Sequence, residues 1–544
     1  MRMARQTTGL ILAGWAALAV CPAGVWAAPA AAKPSADTPH RLPATDRAAG
    51  ARTKAGHSLS SREKARSKLT GTKLAFASGW PEGDHKGRPY NGSAGRRDGA
   101  SEAPVELRDC AHVNPPGKAG GLSDRFWIGG QVNVVIQGHG NFYALYSGPN
   151  SFHNLGEAAG TSIEDLFTGA RLTRNFDVLF DVEDVRGQGL SNVTGLAGFT
   201  DLDAQKAPAA GKQPRTYVSR ILLHYLWPLG GEAQTNDANY LELAPQIPSR
   251  RLELYFGKFS LADFFDHNDY ANDDHTQFLN WTTDNNGAWD YASDTPGYTY
   301  GAYAEFDGGA WSFRYAEALM SRVPNGLYLS LHLSDTRAEN GEIDWAYAPR
   351  TSGTIRALGY VDEAPMGSFA DALAAWRKGL TPAPNVAAVR RPGRHEYGFG
   401  LNWQQGLPHG YGLFARAGWN NGKYESYEYS EVNDTAEAGL QFPGTIWRRA
   451  KDHAGIAFAS NGISRLHREY LAAGGLGFQL GDGGLTYGRE RILETYYQWT
   501  LPAGFSLAPD VQYVANPGYN RVRGPVVVFG LRAHWGLGVR AIGM

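Results

Sequence analysis

Cysteine is nearly missing from this chain: Cys21 and Cys110 are the only two in 544 residues. Cys21 falls in a stretch that reads as an export leader. The one thiol left makes neither an intramolecular disulfide nor a sulfur cage for a metal. Charge is thin, at 19% Asp, Glu, Lys and Arg. Long apolar runs are also lacking: none approaches the roughly 18 residues of a membrane-crossing helix, and the mean hydropathy of -0.38 excludes a bundle of such helices. There is no G-x-S-x-G elbow, H-E-x-x-H helix or P-loop, so no recognisable nucleophile, zinc-protease or nucleotide site is offered.

What is present begins with that leader. Arg2 and Arg5 precede the apolar LILAGWAALAV, and Val25-Trp26-Ala27 fits a small-residue cleavage site, so 1–27 reads as a signal peptide. Residues 28–122 form a basic, then Gly- and Pro-rich segment with too little apolar surface to offset the entropy of ordering. Between 28 and 73 it holds ten Lys or Arg against three acids, and the leader adds two Arg. Set against the formal -1 of the whole chain, the portion beyond Lys73 is acidic by about 10 charges. An acidic body is a poor nucleic-acid partner.

After Leu122 the texture changes to segments of about ten residues with a period of two, the signature of β-strands. In FWIGGQVNVVIQ, Ile128, Val132, Val134 and Ile136 share one face while Gln131, Asn133 and Gln137 share the other. HEYGFGLNWQQ sets Tyr397, Phe399, Leu401 and Trp403 against Glu396, Gly398, Gly400, Asn402 and Gln404. PVVVFGLRAHW repeats the pattern near the C-terminus. About sixteen such segments lie between Phe126 and Trp535.

Alternation on this scale belongs either to a soluble sandwich or propeller with its apolar face inward, or to a membrane barrel with that face outward. Three features favour the barrel. Apolar faces end in aromatic residues (Tyr225, Trp227, Trp403, Trp419, Tyr513, Trp535), as membrane girdles require. The opposite faces carry Gly, Arg, Glu and Asp rather than Lys, Ser and Thr. Short turns alternate with long loops. The expected fold is an all-β transmembrane antiparallel barrel of about 16 strands, spanning 123–535, with 536–544 as an extension beyond Trp535.

Parity then places ionisable residues in the lumen: Arg220, Arg251, Glu253, Glu305, Arg314, Arg356 and Arg416, with Asp177, Asp181, Glu183 and His224. Arg forks and carboxylates match vicinal hydroxyls as paired donors and acceptors, and a nearby ring can stack on a sugar's apolar face. Mutual neutralisation, which holds the wall in shape, is the competing role for each pair.

The most polar loop is DFFDHNDYANDDHTQFLNW, Asp263 to Trp281. As an EF-hand it fails, because Ala271 stands where Gly is needed. His267 and His275, eight apart, match no zinc spacing. With GAWDYASDTPGYTYG after it, and with NVTGLAGFTD, GLFARAGWNNG, HREYLAAGGLGFQLGDG and ILETYY in order, this loop resembles the carbohydrate-selective, OprB-like porins of Gram-negative outer membranes. The resemblance covers about Phe126 to Trp535.

It implies a sixteen-stranded barrel with inward-folded extracellular loops, passing monosaccharides such as glucose by facilitated diffusion. It carries Asp263, Asp266, Asn280, Trp281, Trp289, Asp290 and Arg416 over as constriction residues, with Trp281 offering a ring face. No cofactor and no metal is expected. The partners are small sugars, outer-membrane lipid and lipopolysaccharide, in a monomer or a trimer. Three other readings stay open: a less selective porin passing cations and small organic solutes, a barrel hydrolase, and a soluble carbohydrate-binding β-protein.

Overall fold

The computed structural model describes residues 125–207, 215–428 and 431–541. The signal peptide at 1–27 and the basic segment read at 28–122 lie outside the described residues. Alternating apolar and polar side chains build β1 Phe126–His139, β2 Glu157–Thr173, β3 Phe176–Gln188, β4 Arg215–Thr235, β5 Gln246–Phe259, β6 Thr299–Asp307, β7 Trp311–Leu319 and β8 Arg337–Ala348. They continue through β9 Gly353–Ala364, β10 Arg394–Gly406, β11 Gly412–Asn420, β12 Asp434–Pro443, β13 His453–Gly462, β14 Glu490–Thr500, β15 Phe505–Ala515 and β16 Val526–Ala541.

Each strand pairs antiparallel with its chain neighbours, and β1 pairs with β16, so the sheet closes on itself. Closure leaves no unpaired edge, which is what allows strands to cross lipid. No helix among the described residues is long and apolar enough to cross a membrane. Short helices, Trp281–Asp284, Phe369–Arg377 and Arg465–Ala472, sit in the loops.

The faces follow the expected parity. Tyr397, Phe399 and Leu401 are exposed on β10, while Glu396, Asn402 and Gln404 are buried on its inner side. The outer face ends in rings at the short-turn side: Trp311 stacks on Trp345 at 5.5 Å, and Trp403 Nε1 donates to Tyr347 Oη at 2.9 Å. Turns such as 308–310 close one end, with Gly309 at φ +100° supplying the left-handed step that Gly permits. The other end carries longer segments, 140–156, 189–207, 260–298 and 463–489 among them.

One boundary needs correction. The last strand does not stop at Trp535; it runs to Ala541, so residues 536–541 belong to the barrel. The cause is continued pairing with β1, where Gly536 faces Gln131, Leu537 faces Gly130 and Ala541 faces Trp127 across a register shift.

Candidate functional site

Segment 260–298, which contains the acidic stretch, leaves β5 and folds into the barrel, where nearly all of it is buried. Its backbone is held by carboxylates and amides on the wall. Glu494 on β14 accepts from Leu279 N at 2.6 Å and from Asn280 N at 3.2 Å. Glu342 on β8 accepts from Asp266 N at 2.9 Å, and Arg532 on β16 donates to the carbonyls of Asp274 and Gln277 at 2.7 and 2.9 Å. Inward-facing Gly400 and Gly418 make the approach possible, since a Cβ would lie 2.4 Å and 1.9 Å from the Asn286 side chain.

The residues carried over by resemblance all work inside this seat. Arg416 pairs with Asp266 Oδ2 at 3.0 Å and Glu437 Oε1 at 2.8 Å, and donates to Ala271 O at 2.5 Å. Asn280 donates to Gly198 O and Gln512 Oε1 at 2.9 and 3.0 Å, tying two loops to β15. Trp289 Nε1 donates to Asn340 Oδ1 at 2.9 Å. Asp290 accepts from Tyr427 N and Glu428 N at 2.5 and 2.8 Å. Trp281, expected to offer a ring to solute, is instead 2% exposed and stacked on Phe199 at 5.5 Å. Its face is already covered.

The residues placed by parity form a different object, a belt of charges along one wall. Strand register lines up Glu253 with Glu305, Glu305 with Arg314, and Arg314 with Glu342. Asp344 faces Arg356, and Arg356 faces Asn402. Arg314 Nη1 reaches Glu342 Oε1 at 2.8 Å and Asp344 Oδ2 at 2.7 Å. Arg251 pairs with Glu253 and, at 2.7 Å, with Asp307, and Arg356 donates to Gln404 at 2.9 Å. Arg251, Glu305, Asp307 and Arg314 keep 13–17% of their side chains accessible, unlike Arg416 at 0%. Here polar groups keep part of their surface accessible.

A second cluster joins wall and loop. Arg220 grips Asp263 through two bonds of 2.8 and 2.6 Å and lies 3.5 Å from Asp181. Its guanidinium sits over the rings of Tyr240 and Tyr298, 4.4 and 5.4 Å from the centroids. Glu183 accepts from Lys206 at 3.0 Å and from Tyr298 Oη at 2.6 Å, and Lys258 faces Asp294 at 3.4 Å. Strand parity reaches neither Tyr240, Tyr298 nor Lys206, which stand in turns and loops.

The histidines of the acidic stretch part company. His267 faces Asp263 O and Asn272, at 2.9 and 3.0 Å. His275 Nδ1 lies 3.3 Å from both Asp273 and Asp274, and its Nε2 lies 4.0 Å from Asp203. Burial works against the His275 imidazolium, but Asp274, Asp273 and Asp203 outweigh it and hold its pKa well above the usual value. Burial, and then the Asp274 charge, push Asp203 up to about 7.

A family model described as carbohydrate-selective porin, OprB family, matches residues 150–537. No curated protein sequence matches. Among solved structures, the chain is similar to OprB of Pseudomonas putida at high pH, with 15% identity, a TM-score of 0.57, and 76% of this chain and 95% of that one covered. The outer membrane channel DcaP of Acinetobacter baumannii aligns with 12% identity and a TM-score of 0.42 over 76% of this chain and 96% of that one. At 15% identity the likeness to the Pseudomonas putida protein shows the fold.

Proposed function

Because the chain belongs to the OprB family of carbohydrate-selective porins, a channel of the outer membrane rather than an enzyme, we propose that it passes monosaccharides such as glucose by passive, facilitated diffusion. The belt of Arg251, Glu305, Asp307 and Arg314 carries this reading, because its members are paired with one another yet still accessible. A solute hydroxyl can accept from an Arg N–H and donate to the neighbouring carboxylate, with each exchange replacing a bond of similar strength. Such a wall favours neutral polyols without holding them tightly. The buried residues around Arg416 set the bore, and the outward apolar face meets lipid.

Purified protein in a planar bilayer should show steady conductance that falls in a graded way as glucose is added. Replacing Arg314 by Gln should weaken the block several-fold. Absence of conductance, or a current indifferent to glucose, would overturn the reading. A second reading, a less selective pore for cations and small organic solutes, is favoured by the acidic composition of Asp263 to Trp281 and predicts that indifferent current.

A further inference from the structure

Near the short-turn end, on the wall formed by β3, β4 and β5, three carboxylates surround one imidazole. Asp177 stands opposite His224 in the β3–β4 register. His224 is 1% exposed, and its ring lies flat on Tyr255, with centroids 4.2 Å apart and planes at 11°. Its Nδ1 lies 3.5 Å from Asp177 Oδ2, and its Nε2 lies 3.3 Å from Glu253 Oε2 and 3.6 Å from Glu242 Oε2. Glu242 comes from the 236–245 turn, where its Oε1 accepts from Ala244 N at 2.6 Å. Both ring nitrogens of His224, Glu242 Oε2 and Asp177 Oδ1 are buried without a hydrogen-bond partner. Asp177, His224 and Glu242 each offer a ligand atom within 4.8 Å of the others; Glu253 stands outside that set, and its Oε2 beside Nε2 also accepts from Tyr255 Oη at 3.1 Å.

We propose that His224, Glu242 and Glu253 bind a divalent transition-metal cation of the zinc class, with Asp177 orienting the imidazole. Hydrogen bonds between these groups would be about 2.7–3.2 Å long. The observed separations are longer. A tetrahedral zinc site with bonds of about 2.0–2.2 Å has ligand-to-ligand edges of about 3.3–3.6 Å, which matches Nε2 against both glutamates. Asp177 on the far nitrogen completes the carboxylate–histidine–metal arrangement that fixes the tautomer.

The nearby cations are already engaged. Arg251 is shared between Glu253 and Asp307, and Arg171 stays 3.9 Å from Asp177. A bound cation would fix the 236–245 turn to the wall. Tyr240 of that turn covers Arg220, which grips Asp263 of the inward loop.

Zinc titration of chelator-stripped protein by calorimetry, with the metal content measured after gel filtration, tests the site. One equivalent should bind and raise the thermal midpoint. Glu242→Gln, in a turn outside the strand pairing, and His224→Gln should each weaken binding about 10-fold or more. His275→Gln, at the separate Asp203–Asp274–His275 cluster, should keep the equivalent. No retained zinc, or full binding by both site variants, would overturn the proposal and leave an imidazolium held among carboxylates.

Discussion

Arg416, 2% exposed, spans two carboxylates and two loop carbonyls, so its loss leaves the Glu437 carboxylate and Ala271 O without their donor in a water-poor place and takes the cation from Asp266. Breaking a buried pair of this kind costs about 3–5 kcal/mol. Arg416→Ala should therefore lower the unfolding free energy by about that amount in a denaturant titration and raise conductance as the loop loosens. Unchanged stability with altered glucose block would make it a solute contact after all, the role that the family resemblance implies. At this scale the sequence named residues that the structure gathers into one seat, without naming their partners. A motif shows that Asp266, Asn280 and Trp281 belong together, but whether a side chain meets solute or backbone depends on how the loop is seated. The His224 cluster lay beyond motif reading because its donors come from β4, β5 and a turn.

Strands were the legible elements. A period of two decides which face meets lipid, and β10 shows it with Leu401 52% exposed between Ala357 and Ala417. Leu401→Lys should destabilise the barrel by about 2–4 kcal/mol if the site is at the bilayer midplane, measured by unfolding in lipid. A neutral result would reverse the assignment of faces. The end of β16 was less legible, since GLGVRA has no aromatic residue to mark a membrane boundary, and pairing with β1 carries the strand onward regardless. Inward glycines told half a story. They appeared as polar-face spacers, and the Asn286 amide they admit belongs to a segment far away in sequence.

Over the whole molecule, the acidic balance after Lys73 should give the channel a cation preference. Under a KCl gradient near 0.1 M the reversal potential should favour K⁺, and the preference should shrink near 1 M as the screening length falls from about 10 Å to about 3 Å. Anion preference would show that the excess acids are neutralised within the wall.

The seating of segment 260–298 also has a consequence for timing. Its anchors include Arg220 on β4 and Glu342 on β8, but Arg416, Glu494, Gln512 and Arg532 stand on β11, β14, β15 and β16. The loop has its full set of partners only once β16 has joined the wall, so sealing the wall and setting the bore belong to one final event. A chain released before β16 would have neither.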